Sequence, residues 1–269
     1  MPKRAHQESG EPPLLRPQLV QNLGHVARCP PGPDMLEQMA VCFLKQLSPE
    51  EKQDVCAWIV EILRGSLAVG MICSGTDSPM LAWSGLSKAL RSEFGVSLEV
   101  KQLYACEIDS AKRDVLVAAL PQGCTLFKDA FELPKGFATT HDESQMIVPA
   151  VQWMIAGFPC TSMSSLNARA KHNRDCLRKR SAASGSVFGA IIDRMESQAG
   201  TLLAMTFENV PQIATGPPGA SNLDTLIEVC SEVFCLDVVP WRLCPRDFGS
   251  PQSRNELEWQ RVRKAGNIS

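Results

Sequence analysis

The sequence has no uninterrupted apolar run of the roughly 18 residues that a membrane-spanning helix needs. Its opening letters, MPKRAHQESGEPP, lack the apolar centre of a secretory signal peptide. The 11 cysteines include no Cys-x-x-Cys pair, so we expect reduced core thiols and no zinc site. These absences predict an intracellular protein and leave a nuclear location open.

Net charge is also nearly absent, because 27 Lys and Arg residues stand against 29 acidic residues. We therefore expect no broad phosphate-binding surface, and any nucleic-acid contact must be local. One local cluster of basic residues consists of Arg169, Lys171, Arg174, Arg178, Lys179 and Arg180. It is either a solvated face or a clamp on a polyanionic substrate, and its position shortly after Cys160 favours the clamp.

Four segments divide the chain. Residues 1–33 contain seven prolines and little periodicity, which predicts a Pro-rich tail outside the fold. Residues 34–65 form an N-terminal helical segment, in which Ser48-Pro49-Glu50-Glu51 has the pattern of a capping box. Residues 66–254 carry an alternating pattern of strands and helices, and residues 255–269 are expected to be a C-terminal tail.

Strand-like and helix-like segments alternate from residue 66 onward. Strands are predicted near 67–73, 98–108, 124–129, 201–210 and 235–243 and in the apolar run from Val151, and helices near 79–93, 110–120, 187–198 and 222–234. Strands separated by helices imply right-handed crossovers. The sequence therefore predicts an α/β fold with a doubly wound, mostly parallel sheet, and its 44% hydrophobic content can supply the core.

Small and acidic residues follow the first three predicted strands, at the edge where open α/β sheets bind ligands. The segment Ser74-Gly75-Thr76 follows the first strand and allows a ligand to approach the backbone. Glu107 ends the second strand and either accepts bonds from ribose hydroxyls or caps the next helix, the role that we favour for Asp109. Asp129 either accepts a bond from an adenine amino group or starts a turn. Together these residues predict an adenosine-shaped site.

Two reactive side chains follow the later strands. The run VQWMIAGFPC places Cys160 at the exit of a buried strand, and Pro159 stiffens that exit. An apolar run that ends in FENVP places Glu208 at the end of another strand. Taken singly, each is more often a packed thiol or a helix cap. At neighbouring strand ends they form a candidate catalytic pair.

Three motifs occur in order: GFPC with Cys160, FENVP with Glu208, and DFGSPQSR with Gln252 and Arg254. Cys160 and Glu208 are 48 residues apart, and Glu208 and Gln252 are 44 apart. The motifs resemble the Pro-Cys, Glu-Asn-Val and Gln-x-Arg signatures of the cytosine carbon-5 DNA methyltransferases over residues 66–254. The resemblance implies their S-adenosylmethionine-dependent methyltransferase fold, which is Rossmann-like, and their cofactor, S-adenosylmethionine.

The same resemblance implies a role for each residue in a DNA (cytosine-5-)-methyltransferase. The Cys160 thiolate attacks carbon 6 of a flipped cytosine, so that carbon 5 can take the methyl group. Glu208 holds the base, Arg254 favours the thiolate, and Asn209 holds the turn. The cofactor would be bound by Ser74, Gly75, Thr76, Glu107 and Asp129, and the nucleic acid by Arg169, Lys171, Arg174, Arg178 and Gln252.

The chain departs from the family pattern at several positions. Residues 70–76 stand in place of Asp-x-Phe-x-Gly-x-Gly and lack an acidic residue, an aromatic residue and a glycine of that pattern. Thr161 replaces the glutamine that normally follows the cysteine, and Glu256 replaces a second arginine. We also expect the 15 residues after Arg254 to be too few for the target-recognition region and final helix of the family.

These departures leave two explanations open. The chain is a truncated or degenerate relative, or its helix at residues 49–64 takes the place of the final helix while a partner chain supplies target recognition. The substrate and activity are open as well. DNA methylation leads, tRNA methylation is the enzymatic alternative, and a binding module without turnover is the third reading.

Overall fold

A seven-stranded sheet lies at the centre of the chain. The computed structural model describes residues 34–164, 166–167, 175–216, 219–234, 238–243 and 256–262. In chain order the strands are β1 (Ser66–Ile72), β2 (Glu99–Cys106), β3 (Thr125–Phe127), β4 (Phe137–Thr139), β5 (Gln145–Ile147), β6 (Trp153–Ala156), β7 (Ala204–Asn209), β8 (Val239–Leu243) and β9 (Glu256–Val262). β4 and β5 form a separate hairpin, and the other strands lie in the order β3-β2-β1-β6-β7-β9-β8.

The pairing of these strands confirms the predicted fold class. From β3 to β7 all neighbours in the sheet are parallel, whereas β9 is antiparallel to both β7 and β8. The chain runs outward from β1 to β3 on one side and continues from β6 on the other, so the strand order switches between β1 and β6. Ligands of open α/β sheets bind at the carboxyl ends of the strands beside such a switch.

Helices cover both faces of the sheet, as the sequence predicted. In chain order they are α1 (Met35–Gln46), α2 (Pro49–Ala57), α3 (Ser78–Phe94), α4 (Ser110–Ala119), α5 (Ala182–Ser197) and α6 (Asn222–Phe234). One face packs against α1, α3 and the residues after α2, and the other against α5 and α6. None of the helices in the described ranges is long and apolar enough to cross a membrane.

The N-terminal helical segment is part of the core. The predicted capping box is present, since Ser48 Oγ accepts a bond from the Glu51 N–H at 3.2 Å and the Ser48 N–H donates to Glu51 at 2.7 Å. A π-helix, Trp58–Ile62, continues α2 and buries Ile59 and, just beyond it, Leu63 against β1, β6 and β7. The segment also contains α1, which the sequence did not resolve from its surroundings and which packs on α3.

Two elements differ from the sequence prediction. Helix α5 begins at Ala182 rather than near 187. The sequence did not indicate its first turn, because that turn consists of small residues with no apolar periodicity. Gly185 in that turn packs so closely on the Cys176 carbonyl that a side chain would clash. Strand β9 lies within the segment that was expected to be a C-terminal tail. Its sequence, ELEWQRV, alternates polar and apolar residues over its first five positions, a strand signal that sequence reasoning missed, and its pairing with β7 brings it into the sheet.

Candidate active site

Cys160 lies in a tight turn after β6. Its carbonyl oxygen accepts hydrogen bonds from the Met163 N–H at 2.9 Å and the Ser164 N–H at 2.8 Å, so the backbone folds back beside the cysteine. Cys160 is half-buried and is not enclosed in the hydrophobic core. A partly accessible thiol at the carboxyl end of a central strand meets the geometric requirement for a nucleophile.

Glu208 lies next to the segment that carries the cysteine. In the sheet, Ala156 is opposite Phe207, so the residues that follow them, Gly157 and Glu208, are neighbours. Glu208 Oε2 lies 3.3 Å from the position that a Cβ atom would occupy at Gly157. Glycine therefore leaves room for the carboxylate at this point. The two predicted catalytic side chains come to the same edge of the sheet, from adjacent strands.

Asn209 holds the turn, as the sequence predicted. Its Nδ2 atom donates a hydrogen bond to the Phe158 carbonyl at 3.0 Å, and its Oδ1 accepts one from the Val210 N–H at 2.9 Å. The side chain is 1% exposed, so its amide stabilises the protein backbone and faces no solvent. This bond fixes the Pro-Cys segment to the end of β7 two residues before the cysteine.

The loop after β1 is tied to the end of β2 through Ser74. Its hydroxyl accepts a bond from the Cys106 N–H at 3.2 Å, and its N–H donates to the Cys106 carbonyl at 3.1 Å. Ser74 is buried, so its side chain supports the loop rather than facing a ligand. Gly75 has a φ of +57° with open space around its Cα, and Thr76 is exposed. The backbone at Gly75 and Thr76 is therefore what a ligand can approach.

Glu107 is buried at the end of β2 and organises the same loop. Its Oε2 accepts a bond from the Gly75 N–H at 2.9 Å, and its Oε1 accepts one from the Asp109 N–H at 3.0 Å. A carboxylate has about four acceptor positions, and these two bonds occupy two of them. Asp109 is the N-cap of α4 and accepts bonds from the Ala111 and Lys112 N–H groups, as predicted. Ile108 between these acids is 71% exposed.

Asp129 starts a turn after β3. Its Oδ1 accepts a hydrogen bond from the Phe131 N–H at 2.9 Å, and its carbonyl accepts one from the Glu132 N–H at 3.2 Å. Of the two roles weighed for Asp129, the turn is the one that these contacts support. The residue is half-buried.

A second thiol lies near the site, but in a different environment. Cys73 directly follows β1 in a left-handed backbone conformation, with a φ of 57°. Burial raises the pKa of its thiol to about 12, and the nearby Glu107 carboxylate adds to the rise. Cys73 is therefore protonated at neutral pH and is a poor nucleophile.

Sequence reasoning missed the contact that holds the far end of the β1 loop. Asp77 is 8% exposed, has a φ of 60°, and accepts a bond from Gln102 Nε2 at 2.8 Å. Burial raises the pKa of the Asp77 carboxyl, whereas the Gln102 bond lowers it. Nothing in the sequence signals this pairing, because Gln102 lies in an ordinary strand pattern.

Most of the predicted nucleic-acid residues lie outside the described ranges. These are Arg169, Lys171, Arg174 and Gln252, and the same holds for Arg254. Arg178 is described, and its guanidinium forms an ion pair with Glu228 of α6 at 2.5 Å. The neighbouring Lys179 and Arg180 are likewise paired, with Asp175 and Asp193 respectively. The described part of the basic cluster is thus balanced by acidic residues, a pairing that the sequence did not predict.

Comparison with known proteins identifies relatives of part of this chain. No family model matches it. The DNA (cytosine-5-)-methyltransferase DMT5 of Cryptococcus neoformans var. grubii is 37% identical over 117 residues, which cover 40% of this chain and 5% of that protein. The matched segment is therefore similar to a short part of a protein named as a DNA (cytosine-5-)-methyltransferase. DMT5 of Verticillium dahliae is 28% identical over 121 residues, which cover 43% of this chain and 5% of that protein.

The matched relatives are much longer than this chain, which spans 5% of the length of each. The cytosine carbon-5 methyltransferases use S-adenosylmethionine as methyl donor.

Among solved structures, a mutant of Spodoptera frugiperda DNMT2 aligns over 75% of this chain and 51% of its own, at 17% identity and a TM-score of 0.49. The S. pombe Dnmt2 methyltransferase aligns over 73% of this chain and 51% of its own, at 13% identity and a TM-score of 0.46.

Proposed function

We propose that this chain transfers a methyl group from S-adenosylmethionine to carbon 5 of cytosine in DNA, with Cys160 as the covalent catalyst. The observation that carries the proposal is the position of Cys160 and Glu208 on adjacent strand ends, where Glu208 lies beside Gly157 of the cysteine segment. The curated relatives are named DNA methyltransferases, which favours DNA over tRNA.

The site beside β1 and β2 fits the cofactor. The open space at Gly75 admits a ligand close to the backbone. Glu107 keeps two acceptor positions for ribose hydroxyls, and the exposed Ile108 side chain offers an apolar surface for the adenine ring. Asp129 would accept a bond from the adenine amino group through Oδ2. When bound, S-adenosylmethionine supplies the methyl group.

The protein side chains perform the remaining steps. The Cys160 thiolate forms a bond from sulfur to carbon 6 of the cytosine, and the electron pair displaced from the ring makes carbon 5 nucleophilic. Glu208 binds the edge of the base and stabilises the negative charge that develops on it. Carbon 5 takes the methyl group, and the donor leaves as S-adenosylhomocysteine. A solvent base then removes the proton from carbon 5, the electrons of that C–H bond restore the double bond between carbons 5 and 6, and the bond to sulfur breaks to give back the thiolate.

Trapping with an oligonucleotide that contains 5-fluorocytosine tests this proposal, because fluorine at carbon 5 cannot leave as a proton does. The unchanged chain with S-adenosylmethionine should form a covalent adduct with DNA. Cys160→Ser should abolish the adduct, whereas the matched control Cys73→Ser should retain it, since the raised pKa keeps the Cys73 thiol protonated. Glu208→Gln should slow adduct formation by about 10²- to 10⁴-fold.

Three other outcomes of the trapping experiment would change the proposal. An adduct that persists in Cys160→Ser overturns the assignment of the nucleophile. An adduct with tRNA but not with DNA would show that the substrate is tRNA. Cofactor binding in a calorimeter without any adduct supports a binding module in place of an enzyme.

A further inference from the structure

Helix α5 lacks the usual hydrogen bond at its N-terminus. Ser181 occupies the N-cap position with an extended backbone, φ −113° and ψ 163°, yet its side chain makes no capping bond. Serine is among the most favoured N-cap residues, so this is unexpected. The N–H of Ser184, in the first turn, instead donates to the hydroxyl of Ser162 at 3.2 Å. The cap therefore comes from the turn that contains Cys160.

The bond between the two serines is reciprocal. The Ser162 N–H donates to Ser184 Oγ, also at 3.2 Å. Both residues are buried, with exposures of 5% and 0%. As in a capping box, two backbone N–H groups each donate to a side chain of the other residue, but here the two residues lie 22 positions apart in the sequence. Removal of either hydroxyl would leave a buried N–H without this partner, which is costly.

This pair anchors the segment of the nucleophile on one side. Ser162 lies inside the turn that the Cys160 carbonyl closes with Met163 and Ser164. On the other side, Asn209 binds the Phe158 carbonyl. Cys160 is thus held between two anchors, one on β7 and one on α5. An anchor two residues from a nucleophile controls where its sulfur lies.

We propose that Ser162 and Ser184 are positioning residues that fix Cys160 for attack on the base, an inference that rests on the proposed function of Cys160. A helix cap supplied from the same helix would stabilise α5 equally well without touching the cysteine segment. Because the cap comes from Ser162, the position of the helix and the position of the thiol are set together. Small displacements of a reacting group lower rates strongly.

The test compares Ser162→Ala and Ser184→Ala with Ser48→Ala. Ser48 forms the capping box of α2 with Glu51, so its replacement removes one bond from a side-chain hydroxyl to a helix N–H, as Ser162→Ala does at α5. Adduct formation with 5-fluorocytosine DNA should slow by about 10- to 100-fold in Ser162→Ala, whereas cofactor affinity, measured by calorimetry, should be unchanged. Ser184→Ala removes only one bond and places a strong helix former in α5, so it should stay folded. Ser48→Ala should lower stability without changing the adduct rate.

A second measurement separates this inference from the proposed function. The alkylation rate of Cys160 by iodoacetamide, resolved by peptide mass spectrometry without nucleic acid, should change at least about threefold in Ser162→Ala and stay constant in Ser48→Ala. Unchanged alkylation and adduct rates in both serine variants would show that the pair is only a helix cap and would overturn the inference. If the unchanged chain forms no adduct at all, the proposed function fails, and the alkylation rates still decide whether the pair positions the thiol.

Discussion

Gly70 is predicted to be required by its neighbour Tyr104. Gly70 lies in β1, where the register with β2 shifts between Val69 and Gly70. The Tyr104 ring packs directly on its Cα. A Cβ atom at position 70 would lie 2.7 Å from Tyr104 Oη and closer still to the ring carbons Cε1 and Cζ. We therefore expect Gly70→Ala, and also Gly70→Asp, to destabilise the protein.

The expected loss in the free energy of unfolding depends on how little the Tyr104 ring can move. An ordinary contact is 3.4 to 4 Å, so the Tyr104 ring would have to retreat by about 1 Å within a tightly packed core. The ring is fully buried, its hydroxyl lies 3.5 Å from Met154 Sδ, and the Arg194 guanidinium lies 5.9 Å from its centroid. Overpacking of this kind costs about 1 to 3 kcal/mol. We expect a loss in this range for Gly70→Ala and a larger one for Gly70→Asp, which also buries a charge.

Urea unfolding at equilibrium measures this loss. The matched control is Gly200→Ala, since a side chain there meets nothing within 4 Å. Its free energy of unfolding should stay within about 0.5 kcal/mol of the unchanged chain. In a double-mutant cycle, Tyr104→Leu should relieve part of the cost of Gly70→Ala, because the smaller side chain removes the clash. Equal stability of Gly70→Ala and Gly200→Ala would refute the reasoning.

Three further predictions follow from burial. Asp77→Asn should raise the free energy of unfolding at pH 7, because burial raises the carboxyl pKa in the folded state and penalises its charged form. This gain should shrink as the pH falls through the raised folded-state pKa and vanish below the ordinary aspartate pKa, where the carboxyl is protonated in both states; a gain independent of pH, in chemical denaturation at several pH values, would contradict it. Iodoacetamide at pH 8 should label Cys160 well before Cys73, whose pKa is raised to about 12 by burial; equal rates by peptide mass spectrometry would speak against that protonation state. Ile59→Ala should cost about 2 to 5 kcal/mol because Ile59 is 2% exposed, whereas Val60→Ala, at a site 58% exposed, should cost under about 0.5 kcal/mol in the same unfolding assay.

The sequence predicted the sheet because its buried strands carry apolar runs on both faces. Strands β1, β6 and β7 are covered by helices on each side, so their patterns stand out against the helical periods between them. The first turn of α5 was missed because small residues carry no apolar period, although Gly185 is needed there for close packing. Local patterns thus recover elements that bury large side chains and miss those that pack through small ones.

The candidate site could be predicted only where topology alone brings residues together. Glu208 lies near the end of β7 and Cys160 follows the parallel neighbour β6, so strand order alone places both at the same edge of the sheet. The bonds that hold the site are different, because Ser162 pairs with Ser184 and Asn209 with the Phe158 carbonyl across long stretches of chain. Serine and asparagine are common in turns, and no spacing rule links them to distant partners.

The hypothesis that the helix at residues 49–64 replaces a missing final helix separates into two parts. The structure bears directly on the first, since Ile59 and Leu63 are buried against β1, β6 and β7 and the segment covers that face of the sheet. Support of the cofactor pocket is the second part, and it stays a prediction. Removal of residues 1–65 would expose this apolar face and unfold the sheet, so lost cofactor affinity would prove nothing about the pocket. Trp58→Leu is a milder change, because it trims one half-buried residue whose ring meets the buried Trp153 ring edge-on at 6.4 Å. If S-adenosylmethionine binds Trp58→Leu as tightly as the unchanged chain, the contact between Trp58 and Trp153 does not support the pocket.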